Sequence, residues 1–120
     1  MDNIIDGCIT NNSDYDIANV IYISLKNNFR YIENNVWEYL EDNKWYIDKK
    51  NEKLKNAIKT IVCKYFIERS IFWAKKTEKV NSKSDIISSK LLFIGTKLKE
   101  DKYISNIIKE CKQFFINNEY

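Results

Sequence analysis

At 120 residues, with 44% apolar and 31% charged residues, the chain has the length and composition of one globular domain, not of a disordered or membrane-spanning segment. It has no histidine and only two glycines, which removes the commonest general base, the commonest neutral metal ligand and any glycine-rich phosphate loop. The net charge of +3 is unevenly placed: residues 1–40 carry two bases and six acids, residues 41–83 twelve and six, and residues 84–120 six and five, so an acidic partner is expected to meet the middle third.

Residues 1–12 show no sustained period and are expected to form a flexible tail. The segment MDNIIDGCIT has two acids and no basic stretch, so it is not a secretory signal, and no apolar run reaches the roughly 18 residues needed to span a bilayer. An intracellular, cytoplasmic protein without a membrane partner is expected. Ser13 stands three residues before Asp16, a variant of the capping box, and Ile17, Val20, Ile21 and Leu25 follow at helical spacing. The spacing predicts a helix from Asp14 to about Asn28.

Phe29 to Asp48, FRYIENNVWEYLEDNKWYID, is the densest aromatic stretch. Its alternation predicts three strands: Phe29 to Glu33, Val36 to Leu40 and Lys44 to Ile47. Asn34-Asn35 and Glu41-Asp42-Asn43 form the turns, since Asn accepts positive φ better than other non-glycine residues. Trp37 and Tyr39 share one face, Trp45 and Ile47 another. If the two faces coincide, Trp37 and Trp45 can pair or sit diagonally across the hairpin. Trp37, Tyr39 and Trp45 are expected to be mainly structural.

From Glu52 to about Lys76 the period is helical again, with Asp48 or Asn51 as cap and Leu54, Ala57, Ile58, Ile61, Val62 and Tyr65 as the buried stripe. Phe66, Ile67, Ile71, Phe72 and Trp73 widen the apolar surface and are the expected interface residues. Lys75 to Ser84 is expected as a loop. A helix capped by Ser84 or Asp85 comes next, burying Ile87, Leu91, Ile94 and Leu98. Gly95 inside it costs roughly 1 kcal/mol against alanine unless another backbone approaches closely. The last helix opens at Glu100-Asp101 and buries Ile104, Ile107, Ile108, Cys111 and Phe115. The expected fold is α+β, mainly α. Four helices, with a three-stranded antiparallel meander over 29–48 inserted after the first, make one domain over 13–120.

Little here suggests catalysis. Cys8, Cys63 and Cys111 are odd in number and far apart, which suits small buried hydrophobes and neither a disulfide framework nor a zinc site. Asp14-Tyr15-Asp16 has the form of a metal-binding carboxylate pair, but at the start of a helix the two side chains diverge, so capping is the expected role. Glu68 and Arg69 are expected as a structural ion pair. No metal site and no cofactor are expected in this chain. The run Lys49, Lys50, Lys53, Lys55 and Lys59 comes directly after the aromatic strands. Either it meets phosphates beside exposed rings, as single-strand binding requires, or it is a solvated helix face with the rings turned inward. With 18 Lys, 19 Ile and 15 Asn and no Pro, the chain favours residues with A/T-rich codons, which inflates lysine everywhere and points to an AT-rich source such as a large DNA virus, a protist or a low-GC bacterium.

The order Asp16-Ile17-Ala18, Tyr22, Phe29, Trp37-Glu38-Tyr39, Trp45 with Asp48, then Leu54, Ile58, Tyr65 and Gly95 resembles the helical domain that precedes the superfamily 3 helicase core in primase-helicases of large DNA viruses, phages and plasmids. The resemblance covers roughly Asp14 to Phe115. It implies a non-catalytic domain of a DNA-replication protein, helping to assemble a hexamer and engaging single-stranded or forked DNA in a host cell or viral factory. ATP and Mg would belong to the adjacent helicase domain, and the partner would be the same protein as a homo-oligomer. The alternative from another class is a free-standing protein-interaction, host-modulating protein of an AT-rich virus, motivated by the broad apolar surface around Phe66 to Trp73.

Overall fold

The computed structural model describes residues 1–11, 13–76 and 82–116. Within these the chain runs α1 (Asp2–Asn11), α2 (Asp14–Leu25), β1 (Phe29–Tyr31), β2 (Trp37–Glu41), β3 (Lys44–Ile47), a 3-10 turn (Lys49–Asn51), α3 (Glu52–Ala57), a π-helical turn (Ile58–Val62), α4 (Cys63–Lys75), α5 (Ser82–Lys97) and α6 (Asp101–Phe115). The architecture is mainly helical with a three-stranded antiparallel sheet of order β1-β2-β3. The four expected helices correspond to α2, the α3–α4 rod, α5 and α6. Of the expected Lys75 to Ser84 loop, residues 77–81 lie outside the described residues.

The expected tail is a correction. Residues Asp2–Asn11 form a helix that buries Ile5 and Cys8 and half-buries Ile4 and Ile9. It is held to α4 by Arg69, whose Nε and Nη2 donate to the two Asp6 carboxylate oxygens at 2.9 and 2.7 Å, and by Trp73 Nε1, which donates to Asp6 at 3.2 Å. Asp2 lies 3.6 Å from the same guanidinium. The carboxylate partners of Arg69 among the described residues are thus on α1, in place of its neighbour Glu68.

In α2, Ser13 accepts from the Asp16 backbone N–H at 3.3 Å and returns a hydrogen bond to its carboxylate at 2.7 Å, which fixes the helix start. α2 packs along α6. There Tyr22 lies between Phe114 and Phe115, with ring centroids at 5.8 and 5.1 Å, and the Tyr103 hydroxyl donates to Asp14 at 3.0 Å. Burial and the bond to Asp14 push the Tyr103 phenol above its ordinary range. All five residues expected on the inner face of α6 are buried.

The sheet turns without glycine. Asn34-Asn35 and Asp42-Asn43 each place two consecutive residues at positive φ, between 51° and 64°. The second turn is two residues long, so Glu41 pairs with Lys44 and Leu40 with Trp45. That register corrects the expected tryptophan pair. Phe29, Tyr31, Trp37, Tyr39 and Tyr46 share the inner face, whereas Trp45 lies on the outer one beside Arg30, whose guanidinium sits 4.2 Å from its ring centre. Trp37 is buried edge-on against Phe115 at 5.1 Å and close to Tyr31 at 5.3 Å. Lys112 of α6 bonds the Asn35 side chain and anchors the first turn to the helix beneath it.

Among the described elements, α4 and α5 make the most extensive contact, along a seam of small residues. Cys63 Sγ donates to the Gly95 carbonyl at 3.1 Å. Seven residues away along each helix, Ser70 and Ser88 exchange hydrogen bonds to each other's carbonyls at 2.9 and 2.8 Å. A Cβ on Gly95 would meet Ile67 Cγ1 at 3.1 Å, so the interior glycine is explained by close helix approach.

Candidate nucleic-acid interface

The lysine run begins where the sheet ends. The buried Asp48 carboxylate accepts the backbone N–H of Lys53 at 2.8 Å and of Leu54 at 2.9 Å, capping α3 and fixing the chain between Ile47 and Glu52. Lys50 and Asn51 both adopt positive φ, near 55° and 58°, which folds the link sharply between β3 and α3.

This geometry divides the five lysines between two sides of α3. Lys49 and Lys53 flank a small depression of about 240 Å³ lined also by Tyr39, Ile47, Asp48 and Glu52. Here Lys53 Nζ sits 5.4 Å above the Tyr39 ring, and Tyr39 stacks on Tyr46, with centroids 5.6 Å apart at an angle of 27°. Tyr46 is exposed. It was not among the expected site residues, and its signal is its place opposite Tyr39 across the β2–β3 hairpin. Lys50, Lys55 and Lys59 line a second, larger depression of about 430 Å³ with Glu52, Asn56 and Asp101. Lys59 forms an ion pair with Asp101 at the start of α6. That hydrogen bond and charge, together with the charge of Lys55, hold the Asp101 carboxyl below its ordinary value. Of the three expected structural aromatics, Trp37 is core, Tyr39 is half-buried, and Trp45 is a half-buried outer-face ring covered by Arg30.

The π-helical turn shifts the burial pattern of all of α4. Cys63 N–H reaches back five residues to the Ile58 carbonyl, so one extra residue is accommodated and the buried stripe slips. Leu54, Ala57 and Ile58 are buried as expected. Beyond the slip the core keeps the expected Val62 and adds Cys63, Phe66 and Ser70, while Ile61 and Tyr65, both expected inside, are exposed at 44% and 37%. The expected interface group is accordingly divided. Phe66 is fully buried, and Ile67 is half-buried, packed against Gly95. Trp73 is half-buried and tied to Asp6. Ile71 and Phe72 are exposed, the latter with Arg69 stacked at 4.1 Å and Lys76 at 4.6 Å from its ring centre.

The cysteines are free and buried, and burial raises the thiol pKa of all three, that of Cys8 to about 12, which leaves no reactive thiolate near neutral pH. Among the described residues no group of three or more His, Cys, Asp or Glu is placed to hold a metal, and no helix is long and apolar enough to cross a membrane. Comparison of the chain with family models, with curated proteins and with solved structures finds no match.

Proposed function

We propose that this chain is a non-catalytic domain of a viral-type primase-helicase, acting in DNA replication by supporting hexamer assembly and engaging single-stranded or forked DNA for an adjacent ATP-driven motor. The observation that carries the DNA part is the gathering of Lys50, Lys55 and Lys59 on one open depression, with Lys49 and Lys53 beside the Tyr39–Tyr46 stack on the opposite side of the same helix. Ammonium groups supply phosphate contacts and Tyr46 offers an accessible ring face, the two elements that sequence-tolerant single-strand binding combines. Trp37 takes no part, being enclosed in the core. A titration of fluorescent single-stranded DNA at two salt concentrations tests this, since phosphate contacts lose affinity steeply as salt rises. No binding at low salt removes the DNA role.

A second reading rests on a separate observation. The π slip turns Ile61 and Tyr65 outward, and with Ile71 and Phe72 they leave four large apolar side chains exposed along one rod. This supports a free-standing protein-interaction role in an AT-rich virus. A reading frame that continues past Tyr120 into a phosphate-loop motif favours the first proposal, and a stop codon favours the second.

A further inference from the structure

Two depressions share Lys59 as a common wall. It lines the depression that holds Lys50 and Lys55. It also lines a second one of about 390 Å³ whose other walls are Thr60, Cys63, Lys64, Ile67 and Lys99. Lys64 and Lys99 are both exposed. Lys99 comes from the α5–α6 corner, where Lys99 N–H bonds the Thr96 carbonyl at 3.1 Å and Glu100 N–H the Lys97 carbonyl at 3.0 Å, so its backbone is fixed. Lys99 is close enough to Cys63 to oppose, by its charge, the rise that burial imposes on that thiol.

The π-helical turn makes this convergence possible. In a regular α-helix, residues five apart point about 140° away from each other, given 3.6 residues per turn. With a hydrogen bond closing five residues on instead of four, Lys59 and Lys64 come round to the same wall. Lys55 precedes Lys59 by four residues, an ordinary helical step. The result is a row Lys50, Lys55, Lys59, Lys64 with Lys99 beside its far end. Facing it in the first depression are the carboxylates of Glu52 and Asp101, and Asp101 is paired to Lys59 at the centre of the row.

We infer that this row is a continuous track for the phosphodiester backbone of single-stranded DNA, extended by Lys64 and Lys99, and that Asp101 occupies Lys59 in the free protein and is displaced when a phosphate arrives. The inference rests on the DNA-binding reading above and adds to it the path of the strand and an internal competitor. The strand crosses the π turn and ends at the α5–α6 corner, a region that the residues 49–59 do not reach.

The test is fluorescence anisotropy of a labelled single-stranded oligonucleotide with the full chain, over a range of salt. The Lys64→Gln/Lys99→Gln variant is expected to bind about tenfold more weakly, and to flatten the slope of log affinity against log salt by about 1.4, two phosphates at roughly 0.7 each. Asp101→Asn is expected to tighten binding about threefold at low salt by freeing Lys59 from a screened surface pair. Lys109→Gln, an exposed lysine elsewhere on α6, serves as the charge control and is expected to leave the slope within half a phosphate equivalent, about 0.35. If the unaltered chain binds with a salt-dependent affinity but the double variant matches it, or matches the Lys109 control, the track is refuted and the DNA reading stands on the other lysines. Failure of Asp101→Asn to tighten binding refutes the competitor. If the unaltered chain does not bind even at low salt, the DNA reading fails and the track with it.

Discussion

Deleting Thr60 should leave the protein folded, although it removes one residue from the middle of a helix whose inner face is core. The reason lies in phase. Each residue advances an α-helix by about 100°. Counted as a continuous α-helix from Leu54, the buried set Leu54, Ala57, Ile58, Val62, Cys63, Phe66 and Ser70 spreads across about 240° of the circumference, too wide for one face. With one residue fewer between Ile58 and Val62 the same set falls within about 140°, an ordinary amphipathic stripe. The π turn therefore stores the extra residue, and its removal restores i→i+4 bonding without rotating α4 against α5. The loss is the exposed Thr60 hydroxyl bond to the Asn56 carbonyl at 2.8 Å, about 0.5 kcal/mol. Deleting Glu68 is the contrasting case. It lies in regular α-helix, and its loss rotates the remainder of α4. That breaks the Ser70–Ser88 exchange at about 1 kcal/mol per bond and the Arg69–Asp6 pair at about 2 kcal/mol, roughly 4 kcal/mol together. Such a loss is a large part of a typical stability of about 5–15 kcal/mol. Urea unfolding followed by circular dichroism compares the two. Equal destabilisation by both deletions would refute the slip as the origin of the burial pattern.

Asp6→Asn should cost about 2 kcal/mol, because it weakens a carboxylate that Arg69 and Trp73 hold against burial. Burial pushes that carboxyl up, and the hydrogen bonds from Arg69 and Trp73 with the charge of Arg69 bring it net below its ordinary 3.8. The folded value is thus the lower one, so the contribution is complete above the ordinary carboxylate range and fades as pH falls through the depressed value. Unfolding of the two proteins against pH should show a constant gap near neutrality that closes below that range. Gly95→Val should destabilise by about 1–3 kcal/mol despite improved helix propensity, since its Cβ meets Ile67 Cγ1 at 3.1 Å and its two Cγ atoms crowd the same seam further. A rise in melting temperature would overturn the close-approach account. Asp48→Ala should cost about 1–2 kcal/mol through loss of two backbone caps, measured by the same urea series; an unchanged midpoint would mean that water caps α3 equally well.

Where local chemistry decides structure, the sequence was legible. Ser13, Asp48 and the asparagine turns each declare their role within a few residues, and the inner face of α6 can be read from period alone. The departures share one cause, a count of residues that pattern does not reveal. Expecting three residues between β2 and β3 left the face of Trp45 open; two residues put it on the outer surface. One residue stored in the π turn sends Ile61 and Tyr65 outward and Phe66 inward. In α1 the signal was present but short: Ile4, Ile5, Cys8 and Ile9 recur at helical spacing, and its anchor Arg69 lies 63 residues from Asp6 in sequence. The site divides in the same way. Lys50, Lys55 and Lys59 were visible as a run, whereas Lys64 and Lys99 join them only through the π turn and the α5–α6 corner.

The turns of this chain carry one more implication. Among the described residues six stand at positive φ and none is glycine: Asn34, Asn35, Asp42, Asn43, Lys50 and Asn51. A composition poor in glycine places its sharpest corners on residues that keep their side chains. Such corners cost more conformational energy than glycine would, but they are not blank. Asn35 turns the chain and also receives Lys112 from α6, so a corner and a latch are the same residue. In a protein written with a narrowed alphabet, reversing the chain and fastening it become one act.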